Sequence, residues 1–131
     1  FQKEVADRII AKFNTSAYGR LSILSNWKLN IKKICDIKPE SFSPKPKVDS
    51  SLLFFSPKKD YYKIKNPKNL EKITRILFSN RRKMINKNFI KLFGKDSHVK
   101  EKLNIDLSKR PEELNNDVFY QIATEYEKLT N

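Results

Sequence analysis

Three prolines stand between positions 39 and 46, in the stretch KPESFSPKPKVDSSLLFF, and they divide two apolar tracts. Each proline fixes φ near about −65° and removes a backbone donor, so residues 39–47 cannot form a central strand. On the N-terminal side, Leu29, Ile31, Lys33, Cys35 and Ile37 alternate with Asn30, Lys32 and Asp36, which predicts a half-buried strand over 29–37 in spite of the lysine. On the C-terminal side, a second strand is expected over 48–55, closed by Ser56-Pro57. The prolines hold an extended path between the two.

Upstream, residues 1–3 read as the end of a strand. Residues 4–12 read as a short amphipathic helix with Val5, Ile9 and Ile10 inward. A second helix is expected over 17–28, with Leu21, Leu24 and Trp27 on one face. Helix, helix, strand, proline loop and strand make one edge of an α/β sheet, and two strands alone are marginal. The remainder of that sheet is expected upstream of Phe1, and the chain reads as a piece of a longer protein.

The pattern changes after position 57. Residues 58–68 are lysine-rich, contain Tyr61 and Tyr62, and read as a linker. Asn66-Pro67 marks a helix start. Leu70, Ile73, Ile76 and Leu77 give its inner face, ending near Ser79. A further helix is expected over 81–93, with Ile85, Phe89, Leu92 and Phe93 inward and Gly94 as its C-terminal stop. A short helix over 97–103, a loop over 107–111 and a last helix over 116–129 complete the chain. That last helix is expected to turn Val118, Phe119, Ile122, Ala123, Tyr126 and Leu129 inward. The fold class is therefore an incomplete α/β edge, residues 1–57, followed by a small all-α unit, residues 58–131. The 131 residues, 38% apolar, suit one small domain with a piece of another.

The charge is uneven. The chain carries +13 overall, and +11 of it falls within residues 58–102, while residues 103–131 are net acidic. Such a block favours a polyanion, nucleic acid before an anionic membrane. Cys35 is the only cysteine and His98 the only histidine, which excludes an internal disulfide and a zinc site built on several cysteines. His98 is expected in solvent. No metal site, no membrane span and no secretory signal are expected. A cytoplasmic setting fits the single cysteine; an organelle of an AT-rich genome stays open.

Four segments, FQKEVADRII, SAYGRLSILSNW, FSPKPKVDSSLLFF and FSNRRKMINKNF, occur in an order and spacing similar to the ribosomal RNA adenine N6-dimethyltransferases, which include the small-subunit enzymes of bacteria. The resemblance runs from Phe1 to about Phe93 and more loosely to the end. It implies a Rossmann-like methyltransferase domain, ending near residue 57, and a helical domain that docks on the ribosome. It also implies methyl transfer from S-adenosylmethionine to N6 of two adjacent adenines near the 3′ end of small-subunit rRNA. The partners implied are that rRNA and the assembling small subunit, and the chain is expected to act as a monomer. The family's glycine-rich cofactor loop and its Asn-Leu-Pro-Tyr motif are not found in this chain, whose only glycines are Gly19 and Gly94. The chain by itself is expected to bind no cofactor and to hold no catalytic residue.

Adenine N6 is a poor nucleophile, because its lone pair is delocalised into the ring. The base must leave its stack and be held against an aromatic face. The resemblance makes Phe42 the candidate for that stacking; the alternative is a core residue anchoring the loop. Lys45 and Lys47 flank Pro46 and either meet RNA phosphate or lie in solvent. Arg81, Arg82, Lys83, Lys87 and Lys91 form a cationic stripe that is either a solvated face or an RNA contact. Phosphate contacts of this kind position RNA and do not read its sequence. Arg20 either pairs with a carboxylate such as Glu4 or faces RNA. Two rival readings are the related resistance methyltransferase acting on large-subunit rRNA, and a non-enzymatic basic RNA-binding or ribosome-assembly module.

Overall fold

The computed structural model describes residues 1–44 and 47–130. Strand β1 (Leu29–Ile37) and strand β2 (Ser50–Pro57) form a two-stranded antiparallel sheet. Leu29 lies opposite Pro57 and Ile37 opposite Ser50, with an irregularity between Lys33 and Cys35. The second strand begins two residues later than expected, and Val48 is exposed. Residues 1–3 run along β2: Gln2 bridges Ser50, the Ser51 N–H donates to the Phe1 carbonyl, and the Lys3 N–H donates to the Asp49 carbonyl.

Helix α1 (Lys3–Ile10) packs on both strands. Its inner face is Ala6 and Ile9, while Val5 is only half-buried. Helix α2 is shorter than the apolar spacing suggests, spanning Arg20–Ser25. Gly19 is extended (φ −174°), which keeps 17–19 out of the helix, and the Asn26 side chain binds the Ser22 and Ile9 carbonyls at its end. Leu21 is consequently exposed, and Ile23 and Trp27 take the buried positions.

Four helices follow: α3 (Pro67–Leu77), α4 (Asn86–Phe93), α5 (Val99–Leu103) and α6 (Asn116–Thr130). Asn66 caps α3 by accepting from the Lys68 N–H, with Pro67 in the first turn as expected. Gly94, at φ 84°, ends α4. The helix expected over 81–93 begins five residues late. The Ile85 N–H donates to the Lys109 carbonyl across the chain, and the Lys83 N–H donates to the Asn80 carbonyl, so 78–85 form a turn. In α6, Phe119, Ile122, Ala123 and Tyr126 are buried as expected, and Leu129 is exposed.

One apolar core joins Leu70, Ile73, Leu77, Ile85, Phe89, Phe119 and Tyr120. It crosses position 57, because Tyr18, Ile23 and Trp27 from the first part belong to it. Two buried tyrosines fix that junction. The Tyr18 hydroxyl donates to the Leu114 carbonyl at 2.8 Å, and the Tyr120 hydroxyl donates to the Ile23 carbonyl. Burial pushes both phenols well above their usual pKa. Residues 58–68 are no free linker: Ile64 is buried in the core, and the Trp27 indole N–H donates to the Tyr62 carbonyl.

Candidate nucleic-acid interface

The turn between α3 and α4 opens a groove of about 900 Å3. Three parts frame it: the turn (Ser79, Asn80, Arg82, Lys83, Met84), the outer side of α4 (Asn86, Lys87, Lys91) and the 107–113 loop (Ser108, Arg110, Glu113). The bond from the Ile85 N–H to Lys109 draws the loop against the turn, and the Asn88 amide donates to Ser79 Oγ at 3.1 Å. These contacts hold the groove open without filling it.

Arg82, Lys83, Lys87 and Lys91 all line this groove and are exposed. The turn therefore brings four of the five predicted cations together. No side chain caps the start of α4, and its first turn carries no acidic residue. The first N–H groups of that helix and the surrounding cations make a positive concavity suited to phosphate. Glu113 is the one carboxylate lining it, and it accepts from the Arg110 N–H.

Arg81 goes elsewhere. Its guanidinium donates to the carbonyls of Ser16 (3.2 Å) and Tyr18 (2.6 Å) and to Glu112 (3.3 Å). It does not line the groove. Arg20 is exposed but donates to Thr74 Oγ1 and the Glu71 carbonyl, while Glu4 pairs with Arg8. Arg20 pairs with no carboxylate in the ion pairs between described residues; its bonds tie α2 to α3. Arg110 was not singled out from the sequence. It stands in a loop between helices, and only its spatial closeness to the α3–α4 turn makes it part of the cluster.

Phe42 lies in the turn after β1, next to the short helical turn Pro39–Ser41. It is 41% exposed and makes no ring contact to another aromatic among the described residues. The Ser43–Pro44 peptide is cis. Lys47 is exposed, and Lys45 lies outside the described residues. The groove does not include Phe42, so the stacking candidate and the cationic cluster sit in separate places.

Neither glycine forms a phosphate-cradling turn. Gly19 lies at the start of α2 with the Arg81 side chain 3.5 Å from where a Cβ would stand, and Gly94 ends α4. The described residues therefore do not fit the S-adenosylmethionine loop that the resemblance implies, and they offer no cluster of His, Cys, Asp or Glu for a metal. Among the described residues no helix is long and apolar enough to cross a membrane.

The family model for ribosomal RNA adenine dimethylase matches residues 1–128. A ribosomal RNA small subunit methyltransferase A from Pelagibacter ubique is 64% identical over 129 residues, which cover 98% of this chain and 49% of that protein. The crystal structure of a dimethyladenosine transferase from Plasmodium falciparum superposes with a TM-score of 0.78 at 28% identity, covering 98% of this chain and 55% of that one. The 23S rRNA methyltransferase ErmE superposes with a TM-score of 0.61 at 14% identity, covering 96% and 52%, a likeness of fold. The chain spans about half the length of the curated relatives it matches.

Proposed function

The chain belongs to the ribosomal RNA adenine dimethylase family, and on that premise we propose that it is the C-terminal part of an S-adenosylmethionine-dependent rRNA adenine N6-dimethyltransferase. The proposed substrate is small-subunit rRNA, at two adjacent adenines near its 3′ end. The relative at 64% identity is named for the small subunit, which favours that substrate over large-subunit rRNA. The cofactor site and the polar acceptors for the target amine are assigned to a part of the protein outside this chain.

Two roles fall to residues of this chain. Phe42 offers an exposed ring, at the end of the sheet where residues 1–3 meet Ser50, to a base taken out of its stack. Residues 58–131 dock the enzyme on the assembling subunit through the α3–α4 groove. The groove carries the proposal: Arg82, Lys83, Lys87, Lys91 and Arg110 converge on an uncapped helix start. Phosphates there fix the position of the RNA and leave the chemistry to the catalytic domain.

The test is the triple charge reversal Arg82→Glu, Lys83→Glu and Lys87→Glu in the full-length protein. Affinity for small ribosomal subunits should fall at least about tenfold at physiological salt, with the log–log salt slope reduced by about 0.7–0.9 per lost contact. An unchanged affinity and slope would reject the docking role.

A further inference from the structure

The connector between the sheet and α3 carries a second cationic surface, built differently from the groove. Tyr61 stands at its centre. The Lys63 ammonium lies 3.8 Å from the Tyr61 ring centroid, and the Lys28 ammonium lies 5.2 Å from the same ring and 4.5 Å from that of Trp27. Trp27 meets Tyr61 edge to face at 6.3 Å. Two like charges are thus drawn to one aromatic ring, although they repel each other. Lys59, two residues before Tyr61, is exposed, and Lys58 is held by bonds to Asn26 and Lys28. Lys28, Lys58, Lys59 and Lys63 take part in none of the ion pairs between described residues. Asp60 is the one acid within the segment 58–65.

We propose that this connector patch is a second phosphate-contacting surface for RNA, with Lys28 and Lys63 as the contacting cations and Tyr61 as the ring that holds them in place. The proposal rests on the RNA-directed reading of the family given above. The rings restrict where the two ammonium groups can go, so part of the ordering needed for binding is already in the fold. The occupied ring makes this a contact to the backbone of RNA, with no base stacked on Tyr61. The patch precedes α3 and the groove follows it. Between them in the chain runs α3, whose 11 residues are about 16 Å long, twice the roughly 8 Å over which exposed charges act on each other in physiological salt. The two surfaces therefore contribute independently to binding.

The experiment measures binding of the full-length protein to a transcript of the 3′ region of small-subunit rRNA, and to intact small subunits, across a salt series. The double variant Lys28→Gln, Lys63→Gln should weaken binding to both about tenfold and lower the log–log slope by about one to two. The charge-preserving Lys28→Arg, Lys63→Arg pair should restore both. The Arg82, Lys83, Lys87 variant serves as the control. If that control weakens binding while the connector pair leaves affinity and slope untouched, the connector proposal falls and the docking groove stands. If neither variant has an effect, the RNA-docking reading itself falls. Loss on intact subunits with no loss on the transcript would mean that the patch meets a protein, and would overturn the proposal. So would weakened binding at an unchanged slope, or failure of the arginine pair to restore it.

Discussion

The helices of the second half bury their apolar faces, with Tyr18, Ile23 and Trp27 of the first half packed among them, and one face of the hairpin stays open. Around α3, α4 and α6 the apolar side chains converge: Leu70, Ile73, Leu77, Phe119 and Ile122 are fully buried. In β2 the alternation places Leu53 and Phe55 on one face and Leu52 and Phe54 on the other. Leu52 is 49% and Phe54 57% exposed, and Phe1, beside Phe55, is also open. Both halves have apolar patterning. The helices meet partners within the chain, whereas one face of the hairpin meets none among the described residues. Amphipathic patterning thus declares that an element has a face to bury; it does not say whether the cover lies in the same stretch of chain.

Substitution of one ring in each half gives the largest expected contrast. Phe119 stacks on Phe78 at 5.4 Å in the closed core. Phe119→Ala should cost about 3–5 kcal/mol, as large-to-small core changes do. Phe54→Ala should shift the stability of the same chain by no more than about 0.5 kcal/mol. Urea unfolding followed by circular dichroism checks both. An equal cost at the two positions would mean that the hairpin face is covered in solution, for instance by a second copy, and the contrast would collapse.

The same contrast explains what was legible in the sequence. Both strands are legible in the sequence because period-two alternation beside prolines leaves few alternatives: β1 falls on 29–37 as expected, though none of its residues is fully buried and Cys35 is exposed, and β2 lies two residues later than expected. Helix ends are legible where a local signal marks them, at Asn66-Pro67 and at Gly94. They were misread where a long-range bond decides. Nothing near Ile85 in sequence announces that its N–H will bind the Lys109 carbonyl, so α4 was expected to start at 81 and not at 86. The cationic stripe was visible as composition and spacing, but Arg110 reached the groove only through the folded loop. The division at 57 follows the change in composition; the core ignores it, because Trp27, Ile23 and Tyr18 pack into the helical half.

Arg81 and Arg82 carry that point into a single dipeptide. Arg81 ties the loop before α2 to the helical half through Ser16, Tyr18 and Glu112, and Arg82 lines the groove. Arg81→Met should destabilise the chain by about 2–3 kcal/mol, since it leaves two carbonyls without their charged donor and Glu112 with only Arg110, at 4.0 Å. Arg82→Met should change stability by no more than about 0.5 kcal/mol and should weaken RNA binding instead. Thermal unfolding and RNA binding, run on both variants, give four values. If Arg81→Met unfolds no earlier than Arg82→Met, the loop before α2 is not held by the helical half.

A smaller effect is expected at Glu127, at the seam where the connector enters α3. Its carboxylate, on α6, accepts from the N–H groups of Lys65 and Asn66 and from the Asn69 amide, each at 2.8 Å. Burial alone would raise its pKa. The bonds from Asn66, Asn69 and Lys65, with the Lys65 charge, outweigh burial and hold it below the usual glutamate value. A carboxylate whose pKa is lower folded than unfolded stabilises the fold fully above the unfolded value of about 4.3. That stabilisation is lost as the pH falls through the folded value. Glu127→Gln keeps the shape but turns an amide N–H toward one of the donors, and should cost about 1–2 kcal/mol at neutral pH. The gap between the two proteins should then narrow as the pH is lowered below about 4, because the wild-type carboxyl becomes protonated. Denaturant titrations at a series of pH values measure that gap directly. A gap that stays constant down to strongly acidic pH would show that the ionised carboxylate does not fasten α6 to the start of α3, and that apolar burial alone closes the helical half.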